Sequence, residues 1–297
     1  MNIRSILKQP VLTVAFHPRE ARWTLGSRSH VRASGRVPLP EGAISDGVIL
    51  DPANVGMILR DAPGFPGSGR MQVALALPAQ RTVFRTLELP LLKDRQFDEL
   101  VSREIRREMP MMADNAHMSW QRAPDREGKG VAFVVAAAKD IVDSHSAALK
   151  AAGLHPQSAD LRVIAAARAI GEPDCVIADV EDDETEIAIF RDGLPSIVRH
   201  VDMTAGAPEG EWSRQLAEEL ARTLKFYRDT HRDDVLAEKL PISFVGDAAR
   251  RAMLSPEIAA QTGRQIAMPP LRLVLSPEQD TIGFAANVGM TLKDIAA

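Results

Sequence analysis

Short apolar runs alternate along this chain with longer segments whose apolar residues recur every three to four positions, the pattern of strands interleaved with helices. Val11 to Phe16 and Ala21 to Leu25 predict two strands turned near His17-Pro18, with a third near His30 to Ala33 before Pro38 and Pro40 interrupt the pattern. Asp51-Pro52 reads as a helix start, with Asp as cap, Pro in the first turn and Val55, Ile58 and Leu59 as the apolar face. Strands follow at Gln72 to Leu77 and Thr82 to Leu89, the second placing Val83, Arg85, Leu87 and Leu89 on one face. The spacing of Phe97, Leu100, Val101 and Ile105 predicts a helix over Asp94 to Glu108. Val131 to Ala137 reads as a buried strand. Helices from Lys139 to Ala152 and Leu161 to Ile170 stop at Gly153 and Gly171.

The second half changes character. Asp174 to Val180, Glu184 to Phe190 and Leu194 to Val201 predict a three-stranded meander, with Arg191-Asp192-Gly193 as a hairpin turn. Trp212, Leu216, Leu220, Leu224 and Tyr227 form the stripe of a long amphipathic helix. A strand at Ile242 to Val245, a strand-like piece at Gln265 to Met268 and a helix beginning near Ile282 complete the chain. No repeat of fixed period is visible.

Composition narrows the function more than the fold. The 297 residues suffice for two or three compact lobes, and 45% hydrophobic with 26% charged content is ordinary for globular chains. A net charge of -4 disfavours nucleic acid as a partner, and Glu104 and Glu108 interrupt the basic run Arg103, Arg106, Arg107, which reads as a solvated helix face. Cys175 is the only cysteine, which excludes an intrachain disulfide, and its apolar neighbours predict a buried, unreactive thiol. Met1 to Pro10 lacks the apolar segment of a secretory leader, and the longest apolar run, Val131 to Ala138, is far short of a membrane span, so no membrane insertion is expected.

Catalytic patterns are missing. The seven histidines lack a second ligand at metal spacing, so no metal site is expected, and neither Gly-x-Ser-x-Gly nor a GxGxxG after a strand occurs. The Gly-rich stretch Pro63 to Arg70 ends in Arg-Met and runs into a strand, so it reads as a connector, not a phosphate loop. The densest carboxylate group, Asp179, Glu181, Asp182, Asp183 and Glu184, reads as a solvated turn in preference to a divalent-cation site. Met109-Pro110-Met111-Met112 is either core packing or an adaptable contact surface.

Several segments in order resemble the type IV pilus assembly protein PilM family, bacterial relatives of actin and of the division protein FtsA. They are Leu39-Pro40-Glu41-Gly42-Ala43-Ile44-Ser45-Asp46-Gly47-Val48-Ile49-Leu50-Asp51-Pro52, Val73-Ala74-Leu75-Ala76-Leu77-Pro78, Arg85-Thr86-Leu87-Glu88-Leu89-Pro90, and the Glu-rich helix Phe97 to Pro110. Val134-Val135-Ala136-Ala137-Ala138-Lys139 with Ala151-Ala152-Gly153-Leu154, Ile177-Ala178-Asp179 with Arg191-Asp192-Gly193, and Arg222-Thr223-Leu224-Lys225-Phe226-Tyr227 extend the match over most of the chain.

The resemblance implies an α/β chain with a two-lobed actin-like ATPase (ribonuclease H-like) fold. Residues 1–46 with 156–172 would form the first lobe, 47–155 a small inserted α+β domain, and 173–297 a reduced second lobe. It implies a cytoplasmic scaffold at the inner membrane that holds the tail of a PilN-like membrane protein within a pilus or secretion platform. The alternative is a nucleotide-dependent ATPase switch in pilus assembly or cell division. If ATP and Mg were retained, Asp179 and Gly246 would be their contacts; for a partner peptide, Arg85 and Phe97 are the candidates.

Three departures from the family pattern argue against a nucleotide. Where the first phosphate loop of relatives reads Asp-Ile-Gly, this chain has Val14-Ala15-Phe16-His17, without carboxylate or glycine. The second loop keeps only Asp179, followed by Val180-Glu181-Asp182-Asp183, which puts side chains and negative charge where phosphate would approach backbone N–H groups. The segment between Val201 and Trp212 is too short for the adenine-enclosing subdomain, and the adenosine contact is reduced to Gly246-Asp247. No cofactor is expected, and ATP binding should be weak or absent.

Overall fold

A computed structural model describes residues 9–293 except 68, 70, 111–113, 233, 238 and 276–279. The chain divides into two compact units, Met1–Ala79 with His145–Ala297, and Gln80–Ser144.

The larger unit opens with a meander of β1 (Val11–His17), β2 (Glu20–Ser27) and β3 (His30–Pro38). Every residue of β1 is buried, which explains its mostly apolar sequence, with Thr13 and His17 as the polar exceptions. The third strand runs to Pro38, further than the sequence pattern predicts; Pro38 at its end costs no ladder bond on an edge strand. A two-residue ladder, β4 (Ile44–Ser45) and β5 (Val48–Ile49), leads into α1 (Pro52–Asp61), whose N-cap Asp51 carboxylate accepts from the Asn54 N–H at 3.0 Å. Then β6 (Gln72–Leu77) returns parallel to β1, with Val14 opposite Leu75. The Pro63 to Arg70 stretch lies partly outside the described residues.

The smaller unit holds β7 (Thr82–Pro90), α2 (Asp94–Glu108), β8 (Ala116–Arg126) and β9 (Lys129–Ala138). Its sheet has the order β7-β9-β8, all antiparallel. Phe97, Val101 and Ile105 of α2 pack with Leu87, Leu89, Ala132, Val134 and Ala136, so the helix covers one face of the sheet. The charged face predicted for α2 is exposed at Arg103 and Arg107, and Glu104 turns inward to pair with Arg107 at 2.6 Å. Sequence reading missed β8. It is an edge strand whose residues alternate between exposed and half-buried, and its charges and Pro124 mask the period of two. Met109 is buried, which favours core packing there; Met111 and Met112 lie outside the described residues.

Next α3 (Lys139–Ala151) crosses from the smaller unit to the larger and ends in the predicted glycine stop, Leu154 N–H donating to Leu149 O at 2.9 Å. Then β10 (Ser158–Leu161) pairs parallel with β6, completing the sheet β10-β6-β1-β2-β3, and α4 (Arg162–Ile170) ends at Gly171 with φ +83°.

The second sheet repeats this plan. A meander of β11 (Cys175–Val180), β12 (Glu184–Arg191) and β13 (Leu194–Asp202) is followed, after α5 (Glu209–Thr230), by β14 (Ile242–Val245) parallel to β11. After α6 (Ala249–Met253) and α7 (Pro256–Thr262), β15 (Ile266–Ala267) gives the order β13-β12-β11-β14-β15. The stripe of α5 is buried at Trp212, Leu216, Leu220 and Tyr227. A 3₁₀ turn (Thr281–Phe284) leads into α8 (Ala285–Leu292), which lies tightly on α4: a Cβ on Gly289 would fall 1.7 Å from Ala165 O. The two meanders share a topology that the sequence does not show as a repeat, because topology survives divergence of every residue that fills it.

The sequence reading drew the inserted domain over 47–155, whereas the smaller compact unit is Gln80–Ser144. Residues 47–79 fall in the larger unit because β6 pairs with β1, and 145–155 because Ala148 and Leu149 are buried beside it, Gly56 of α1 packing on Ala148. No helix among the described residues is long and apolar enough to cross a membrane.

Candidate functional site

Two turns carry the departures noted above, and the structure brings them together. The β1–β2 turn supplies His17, and the β11–β12 turn supplies Glu181 and Glu184; the His17 ring lies 3.7 Å from Glu181 and 3.8 Å from Glu184. Two arginines bridge the sheets from either side. Arg22 on β2 donates to both Glu181 oxygens at 2.7 and 2.6 Å and to the Gly283 carbonyl at 2.8 Å. Arg162, the first residue of α4, meets Glu184 at 2.6 Å and Glu186 at 3.0 Å, and donates to His17 Nδ1 at 2.8 Å. Both arginines are only 2% exposed.

Further charges extend the network. Glu20 accepts from Arg22 at 2.5 Å and from Arg36 at 2.6 Å. Asp247 binds Arg36 through both oxygens and lies 3.0 Å from Arg22, and the Arg36 guanidinium stacks 4.9 Å from the Phe284 ring centroid. Glu186 also accepts the Ala79 N–H at 2.7 Å. This corrects the reading of the acidic run as a solvated turn. Asp182 is exposed and Asp183 half-buried, while Asp179, Glu181 and Glu184 are 6%, 6% and 5% exposed. The sequence hides this because the balancing arginines lie about 20 to 160 residues away.

The electrostatics follow from burial and sign. Burial, helped by Arg22, Arg162 and Arg36, pushes His17 well below its usual range, so the ring is neutral. Nδ1 accepts from Arg162, and the approaches to Glu181 and Glu184 are contacts of a neutral ring, not ion pairs. Burial and the neighbouring Glu181 raise Asp179 to about 8, leaving its carboxyl protonated at neutral pH. Burial also opposes ionisation of Glu186, but Arg162 and His200 outweigh it and hold Glu186 at about 2. Buried charges without partners are costly, so each arginine is a structural requirement of the carboxylates around it.

Gly246 has φ +90°, and a Cβ there would sit 2.5 Å from Val180 O and 2.7 Å from an Asp179 oxygen. Glycine is required by this close crossing of β11, so its presence has a structural cause without any ligand. The two partner-binding candidates separate: Phe97 is 0% exposed at the centre of its unit's core and offers no surface, whereas Arg85 is exposed and, among the described residues, donates only to the Phe84 carbonyl. Cys175 is buried, and burial beside Asp174 and Glu172 pushes its thiol up to about 12, which makes it inert. Among the described residues, no group of three or more His, Cys, Asp or Glu is arranged to hold a metal ion.

The family model described as type IV pilus assembly protein PilM matches residues 26–196. No curated protein sequence matches the chain. Among solved structures, the chain is similar to the PilM-PilN type IV pilus biogenesis complex, with 18% identity, TM-score 0.74, and coverage of 97% of this chain and 99% of that one. It is similar to the cytoplasmic domain of EpsL, an inner membrane component of the Vibrio cholerae type II secretion system, with 17% identity, TM-score 0.54 and 96% coverage of each chain. A Bacteroides thetaiotaomicron protein with an actin-like ATPase fold matches with 11% identity and TM-score 0.51, over 99% of this chain and 100% of that one. At these identities the likeness shows the fold, which is actin-like, its two lobes built on the two five-stranded sheets.

Proposed function

Because the chain belongs to the type IV pilus assembly protein PilM family, we propose that it is a cytoplasmic scaffold at the inner membrane, binding the tail of a PilN-like membrane protein without using a nucleotide. The likeness to a PilM-PilN complex and to the EpsL cytoplasmic domain supports a role in a pilus or secretion platform. One observation carries the nucleotide-free part: the space between the β1–β2 and β11–β12 turns is filled by the buried ionic network of Arg22, Arg162, Glu181, Glu184 and Glu186.

These residues do not fit a triphosphate. Phosphate binding at such turns needs backbone N–H groups open to approach and cations free to pair. Here the Glu181 N–H donates to Glu184 O at 2.9 Å, the Asp247 N–H is directed to a Glu181 oxygen at 3.4 Å, and Arg22 and Arg162 are held by carboxylates. A polyphosphate entering here would displace buried carboxylates and meet their repulsion. The segment from β13 to α5 spans only residues 203–208, too little for a lid over a base.

The lobes are therefore fixed by the chain's own charges, and the scaffold holds one conformation. The test is affinity isolation of the tagged full chain from native membranes, with and without ATP and Mg. The proposal expects the same membrane partner in equal yield in both; a partner recovered only with nucleotide favours the switch instead.

A further inference from the structure

The larger unit carries a cavity far along the chain from the turns of the cleft. After α5 the chain returns to β14 through residues 231–241, where Leu236 is buried in the core while its neighbour Val235 is left 75% exposed. Between this connection, the last turns of α5 and the end of α7 lies a cavity of about 330 Å³. Leu224, Tyr227, Val235 and Leu236 give it an apolar lining, and Arg228, Arg232 and Arg264 bring positive charge to it.

The walls are held by specific bonds. Tyr227 is 1% exposed, its hydroxyl donates to Asp234 at 2.6 Å, and its ring stacks on that of His231 at 4.5 Å between centroids. Arg264 donates to the Ala237 and Leu240 carbonyls, both at 2.8 Å, and so ties the connection to the residues that follow α7. The lining carboxylate, Asp234, is already engaged. It accepts from Arg191 Nε at 2.9 and 3.1 Å as well as from Tyr227, and these bonds hold it below the usual carboxylate range. Arg228 and Arg232 pair with no carboxylate among the described residues. A cation in the last turn of α5 offsets the helix dipole, which accounts for Arg228 alone; Arg232 lies beyond that turn.

An apolar floor with unspent positive charge at its mouth narrows the choice of occupant. A lone phosphate would satisfy the arginines and leave the floor bare. A membrane surface or a nucleic acid needs a broad basic field, and the next cation along the helix, Lys225, is paired with Asp229 at 3.5 Å. An apolar side chain flanked by carboxylates covers both parts, filling the floor as an anchor while its neighbours make charge-assisted bonds at the rim.

We propose that this cavity is a docking site for an acidic segment of a partner protein. An apolar side chain of that segment enters against Leu224, Tyr227 and Leu236, and its flanking carboxylates pair with Arg228 and Arg232. This site is separate from the scaffold reading and goes beyond it.

The test pans the full chain against a phage-displayed library of random peptides, with counter-selection on the Val235→Asp, Arg232→Glu double variant to remove peptides bound elsewhere. Selected peptides should carry an apolar residue with Asp or Glu within three positions on either side. For the synthesised peptide, Arg228→Glu and Arg232→Glu should each weaken binding about 5-fold and Val235→Asp about 10-fold, with unfolding midpoints unchanged because all three side chains are exposed. Changing the peptide's acidic residues to Gln should weaken it about 10-fold, and added salt should weaken the parent peptide more than the Gln form. No enrichment, enriched peptides without acidic residues, or affinities indifferent to the arginine substitutions overturn the proposal. Full displacement of the peptide by inorganic phosphate, or by phosphatidylglycerol vesicles, assigns the arginines to a phosphate or a lipid headgroup and overturns it as well. The membrane partner is absent from every arm, so each of these failures leaves the scaffold reading standing.

Discussion

The cleft of the larger unit and the groove of the smaller one treat polar groups in opposite ways. In the cleft, three carboxylates (Glu181, Glu184 and Glu186) and two arginines meet below 10% exposure and are paired with one another. Along the β7 edge, one row of backbone groups has no strand partner among the described residues, beside a pocket lined by Leu89, Leu92 and Leu100 together with Glu99, Arg103 and Glu104. A site complete in itself has no affinity left for a ligand, whereas an incomplete one does. The contrast is between charges that meet one another in the larger unit and a strand edge left unpaired in the smaller one.

The largest expected effect comes from unbalancing the cleft. Arg162→Met strands Glu184 and Glu186 in a dry interior and should cost about 3–5 kcal/mol in urea unfolding. A loss below about 1 kcal/mol would mean the network is looser than described. Replacing Arg22 and Glu181 together, as Met and Leu, should cost far less than either alone, because paired apolar replacements are often neutral. A double loss equal to the sum of the two single losses would deny the coupling.

The pH dependence is next. The carboxyl of Asp179 is raised to about 8 in the folded chain, so its contribution to stability is full below about pH 4 and is lost as pH rises through about 8. Asp179→Asn should therefore gain stability relative to the parent between pH 5 and pH 9, on the order of a few kcal/mol. Glu186 works in the other direction. Held at about 2, it contributes stability above about pH 4.5 that disappears as pH falls through about 2. Thermal unfolding scanned over pH reads both, and a parent chain equally stable at pH 5 and pH 9 would contradict the Asp179 assignment. The smallest effect is on the open side: Arg85→Ala should shift unfolding by less than about 0.5 kcal/mol, since the residue is exposed. A larger shift would make Arg85 a structural residue.

Much of this contrast was legible in the sequence, and the unread part has a common cause. The helix stripes of α2 and α5 and the glycine stops at Gly153 and Gly171 are local signals, and the structure places them where periodicity does. The loss of glycines at the two turns was also readable, because it lies within a few consecutive residues. What replaced them was not. Glu181 and Glu184 looked solvated until Arg22 and Arg162 were brought to them by strand pairing across the fold. Phe97 was misassigned for a related reason: a periodic apolar stripe reports burial but not which of its residues reaches the surface, and Leu100 on its flank is the one that lines the groove. The edge strand β8 and the boundary at Gln80 depend on strand order, which no window of sequence carries.

The central claim is that the cleft is closed by its own charges. Isothermal titration of the full chain with ATP and Mg tests it most directly. The account predicts no saturable heat up to millimolar nucleotide and an unchanged unfolding midpoint; a micromolar dissociation constant accompanied by a rise in that midpoint would contradict it.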